Sequence, residues 1–88
     1  MTPTERVEYL AELNPEALTA DGFAEALIGY VEIFNRIIAA YDRSKCIKIL
    51  MKRDGMSEEE AQEYFEFNVI GAYMGENTPA FLTRLDSV

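Results

Sequence analysis

Apolar positions along this chain recur mostly at helical spacing, and the breaks fall where capping residues stand. Thr2-Pro3-Thr4-Glu5 has the form of a helix start. Thr2 can cap, Pro3 suits the first helical position, and Glu5 closes a capping box. Val7, Leu10 and Ala11 form a short stripe with Leu13 beside it. Asn14-Pro15 ends this helix, because the residue before proline avoids the helical region. Asp21-Gly22 opens a second predicted helix. Phe23, Ala26, Leu27, Tyr30, Val31 and Phe34 fall at i, i+3, i+4, i+7, i+8 and i+11, one face at a period of about 3.6 residues. Ile37, Ile38 and Tyr41 have two readings. They continue the stripe in one long helix to about Tyr41, or residues 37–41 form a short buried strand after a helix that stops near Asn35-Arg36. Asp42, a good cap for a new helix, favours the strand.

From Asp42 a helix is predicted to Asp54, burying Cys46, Ile47, Leu50 and Met51. Gly55 supplies the left-handed residue that ends it, and Lys52 and Arg53 lie where the dipole favours cations. Ser57 caps the next helix and Glu60 completes a capping box. Ala61, Tyr64, Phe65, Asn68, Val69 and Ala72 share one face, and Phe67, Ile70 and Met74 a second. A segment apolar on most sides predicts a central buried helix ending near Gly75. Gly75 to Pro79 reads as a turn, and residues 80–83 as a strand able to pair with 37–41. The terminal Leu85-Asp86-Ser87-Val88 is expected to fray. The expected fold is therefore mainly α (α+β). It has four helices around a central apolar helix, with a short two-stranded β-ribbon (37–41 with 80–83), in one domain over residues 1–88.

Composition narrows the function more than it narrows the fold. Eighty-eight residues with 49% hydrophobic content support one modest core. An oligomer that adds buried area is compatible with that size. The net charge of −8 repels phosphate backbones and anionic lipid. No direct nucleic-acid or membrane binding is therefore expected, whereas a basic nucleic-acid-binding protein would be attracted. No apolar run reaches the ~18 residues of a membrane span, and no secretory h-region is visible. A cytoplasmic protein is the expectation. Histidine is absent and Cys46 is the single cysteine, which leaves no Cys–His or Ser–His dyad and no zinc set within one chain. No enzyme, no metal and no cofactor is expected.

Five of the eight basic residues fall between Arg43 and Arg53. They read either as a basic strip that binds an anion, or as a helix face neutralised by the acidic helix after it. Cys46 lies near Arg43 and Lys45 but on the apolar face, which favours a buried, inert thiol. Asn68 falls on a face expected to be buried, either tying down a backbone or flooring a ligand pocket. Tyr41, Asp42, Glu76 and Asn77 flank turns that come together if the two strands pair. The candidate binding residues are thus Tyr41, Asp42, Arg43, Lys45, Asn68, Glu76 and Asn77.

Residues 21–82 also carry a sequence pattern, YDRxKCIxILMxRDGM, then EEAxExFEFN, then GENTPxF. In this they resemble small acidic proteins encoded in tailed-phage and prophage genomes. That resemblance implies a non-enzymatic protein that acts by binding a host or phage protein, including inhibition of a host defence system such as a CRISPR effector. The alternative it implies is a nucleotide sponge that works as a homo-oligomer.

Overall fold

The computed structural model describes residues 1–87; the expected fraying of the C-terminus reaches Val88, which lies outside them. The fold is α+β. Its elements are α1 (Pro3–Leu13), β1 (Leu27–Ile33), β2 (Arg36–Asp42), α2 (Arg43–Asp54), α3 (Glu58–Phe65) and β3 (Ala80–Leu82). The strands form one sheet in the order β1-β2-β3. β1 and β2 are an antiparallel hairpin, and β2 pairs with β3 in parallel. Three α-helices and a mixed sheet thus replace the expected four helices around a central one. The segments 37–41 and 80–82 are neighbours, but as the central strand and one edge strand of a three-stranded sheet rather than an isolated ribbon.

The largest correction lies at residues 22–36. Only Ala24–Ala26 keep a helical twist, as a single 3₁₀ turn, and Leu27–Ile33 is a strand. A competing preference opposes the stripe at helical spacing. Ile28, Tyr30, Val31, Ile33 and Phe34 are β-branched or aromatic and lose rotamer freedom in a helix. Gly29 in their midst costs a helix about 1 kcal/mol. Apolar residues on both alternating faces hide the two-residue period. The hairpin turns on Phe34-Asn35, where Phe34 takes φ 54° and is fully exposed.

The helix starts are as the caps dictate. Thr2 with Glu5, and Ser57 with Glu60, form complete capping boxes. Backbone N–H groups of the caps donate to Glu5 and Glu60 and lower both carboxyl pKa values. Their contribution to stability is present above the ordinary carboxylate range and is lost as pH falls through the lowered values. Asp42 caps α2 by accepting from the Lys45 N–H, and Gly55 ends it at φ 67°.

A second correction concerns the fourth expected helix. α3 stops at Phe65, and Glu66–Ile70 widens into a π turn closed by a Gly71 N–H to Glu66 O bond of 3.2 Å. The extra residue turns the second apolar face away from the core. Phe67, Tyr73 and Met74 are left 81%, 74% and 71% exposed.

The core joins Leu10 of α1, Cys46 and Leu50 of α2, and Ala61 and Phe65 of α3 to Leu27, Ala39 and Tyr41 of the sheet. Strand alternation sends Val31, Ile33, Ile38 and Ala40 to the opposite face. Aromatic rings run through the core as a chain. Phe23 meets Phe65 edge-on at 6.5 Å, Phe65 meets Phe81 edge-on at 5.1 Å, and Phe81 stacks on Tyr41 at 5.5 Å. The Tyr41 hydroxyl accepts from the Ala20 N–H at 2.8 Å.

Urea unfolding checks this chain of rings. Phe65→Ala is expected to cost about 3–5 kcal/mol. Tyr41→Phe, which leaves the Ala20 N–H without its acceptor, should cost about 1–3 kcal/mol.

Candidate functional site

The candidate residues do not converge. Tyr41 is fully buried and bound to Ala20. Asp42 is buried as the α2 cap. Both belong to the fold. Arg43 donates to Glu66 at 2.6 Å and lies 5.3 Å over the Phe65 ring. Lys45 is exposed on the outer face of α2. Glu76 pairs with Arg36 at 3.1 Å. Asn77 Oδ1 accepts from Asn14 Nδ2 at 3.2 Å, and its carbonyl accepts from the Leu18 N–H at 3.1 Å. Because β3 runs parallel to β2, the turn before β3 lies beside Arg36 and Ile37, at the opposite end from Tyr41 and Asp42. An antiparallel ribbon would have brought those four residues together.

The basic window divides. Arg43 is held by Glu66 and the Phe65 ring. Arg53 donates to Gly22 O at 3.2 Å and to both Asp54 carboxylate oxygens, and covers the Phe23 ring at 5.5 Å. Hydrogen bonding between Arg53 and Asp54 raises the Arg53 pKa and lowers that of Asp54. Lys45, Lys48 and Lys52 have no ion pair among the described residues. Neutralisation by α3 therefore does not extend along α2. The one ion pair among the described residues that crosses toward that segment is Arg43–Glu66.

Asn68 is exposed, contrary to the buried face expected for it, and Nδ2 donates to Tyr64 O at 3.1 Å. It does line a cleft of about 360 Å³. The 18–23 loop forms one wall through Leu18 and Phe23. Tyr64, Val69 and Ala72 form the second, and Met74 and Phe81 the third. The lining is mostly apolar, with Asp21, Arg53 and Asn68 at its polar points. This is the makeup of a site that accepts an apolar group and orients it by a few polar contacts. Met74 lines the cleft, and Phe67, Ile70 and Tyr73 are exposed along the π turn and its exit. The sequence carries one sign of this surface: Gly71 interrupts the predicted helix where continuity disfavours glycine. The loop wall has no such sign, because it depends on the Tyr41–Ala20 bond across the fold.

No protein-family model, curated protein or solved structure matches this chain. Among the described residues, no helix is long and apolar enough to cross a membrane, and no cluster of acidic residues and cysteine could hold a metal ion.

Cys46 is fully buried on the inner face of α2. Burial, with Asp42 adding to it, pushes its thiol pKa up to about 12. The thiolate is the reactive form, so a disulfide reagent at about pH 8 should leave the native protein unmodified and label Cys46 only as fast as the chain unfolds. Rapid stoichiometric labelling of the native protein would contradict this placement.

Proposed function

We propose that this chain is a non-enzymatic, phage-encoded interaction protein that works in the host cytoplasm. It blocks a basic partner, of the kind found in nucleic-acid-directed host defence, by binding it. The observation that carries this reading is the exposure of Phe67, Ile70, Tyr73 and Met74, the last of which also lines the apolar cleft. Exposed aromatic and methionine side chains in one patch are typical of binding surfaces rather than of inert ones. The setting selects the partner's charge. Residues 54–83 contain seven acids and no Lys or Arg, so the segment that carries these side chains is acidic. A basic surface with a protruding apolar side chain is complementary to it. The resemblance to tailed-phage proteins supports the same reading. The nucleotide-sponge alternative retains less support, since Arg43 and Arg53 are held within the fold and Glu25 stands among the lysines of α2.

The test uses the partner recovered at low salt from a host lysate. Phe67→Ala and Tyr73→Ala should each leave the melting temperature unchanged and weaken binding about 10-fold or more, as truncated aromatic anchors do. Binding of the wild type should also fall as salt rises. A partner bound equally well by the double variant, or bound independently of salt, would remove the proposal.

A further inference from the structure

β1 is an edge strand of the sheet, paired on one side only. Its outward main-chain groups can be identified from the turn. A two-residue loop makes Ile33 and Arg36 a hydrogen-bonded pair, and bonded and non-bonded pairs then alternate. Gly29, Val31 and Ile33 therefore spend their N–H and C=O groups on β2. Tyr30 and Glu32, opposite Ala39 and Ile37, direct theirs away from it. Asn14 gives independent support for this phase. Its Nδ2 donates to Ile37 O at 2.7 Å, so that carbonyl points away from β1, as the alternation requires.

The edge is shielded at one end only. A bulge disturbs the register between Leu27 and Gly29, and Arg6 donates to Leu27 O at 3.1 Å. Both are devices that blunt a sheet edge. From Tyr30 to Ile33, no side chain bonds the main chain among the described residues. Every residue from Ile28 to Phe34 is exposed, and Glu32 is the one charge among them.

We propose that two chains pair antiparallel through β1 about a two-fold axis at Val31, making a continuous six-stranded sheet. In that register Tyr30 exchanges both hydrogen bonds with the partner's Glu32, and the reverse. Val31 faces its own copy at a close, non-bonded position, and Ile28 faces Phe34. Charge disfavours the register centred on Glu32. Centring on Glu32 would oppose two carboxylates, whereas centring on Val31 sets Glu32 against a tyrosine. The register also uses the exposed Phe34 at the hairpin tip, whose ring packs on nothing within the monomer.

Two measurements on the full chain test this. Light scattering after size exclusion should give twice the 10.0 kDa chain mass. The dimer should hold or strengthen as salt rises, because added salt screens repulsion between two chains of −8. That sign is opposite to the one expected for a basic partner, so the two readings fail separately. In the dimer the Tyr30 and Glu32 amides should exchange slowly with solvent. In Val31→Lys, which sets two cations face to face, the mass should halve and those two amides should exchange rapidly, while the amides at positions 31 and 33 stay protected by β2. A monomeric wild type, a dimer whose Tyr30 and Glu32 amides exchange rapidly, or a dimer that survives Val31→Lys would each overturn the proposal.

Discussion

The chain of rings from Phe23 through Phe65 and Phe81 to Tyr41 is the interaction on which the rest depends. Its members come from the 18–23 loop, α3, β3 and β2, four segments separated along the sequence. β3 is only three residues long and could not hold its place by hydrogen bonds alone. Phe81, gripped between Phe65 and Tyr41, fixes it. The Tyr41 hydroxyl then ties the loop to the sheet through Ala20. Two arginines close the chain from outside by covering the Phe65 and Phe23 rings. The two ends of the basic window in α2 thus serve packing, through cation–π contact and ion pairing.

The cleft depends on the same arrangement. Its walls are the segments the ring chain joins, and Phe23 and Phe81 belong to both. The residues beyond the cleft have no part in the core. The π turn rotates Phe67 and Ile70 outward, and Tyr73 and Met74 come after them as the chain leaves the helix. The core and the surface proposed for binding therefore use different side chains within one stretch, with Phe65 inward and Phe67 outward. The segment from Asp54 to Thr83, which carries both, has acids and no Lys or Arg.

The features legible in the sequence are local. Caps at Thr2, Asp42 and Ser57 and the left-handed Gly55 are short-range devices, readable because the residues that act lie within a few positions of each other. The strand at residues 37–41 is legible as one of two readings. The hairpin is not, because β1 carries apolar residues at both a two-residue and a helical period, and only pairing with β2 decides between them. The parallel sense of β3 is likewise a long-range fact, and it separates Tyr41 and Asp42 from Glu76 and Asn77. Asn68 does stand beside a pocket, but not through burial in a central helix. It lines the cleft because α3 gives way to a π turn.

The division between a ring-locked core and an unburdened surface is tested most directly by native-state amide hydrogen exchange. Amides of β2, α2 and α3 that bond within the core should exchange only through global unfolding, with one common free energy. Amides from Phe67 to Glu76 should exchange far faster, by local opening that leaves the core intact. Protection of that segment equal to that of β2 would contradict the division, since the fold would then depend on the surface assigned to binding.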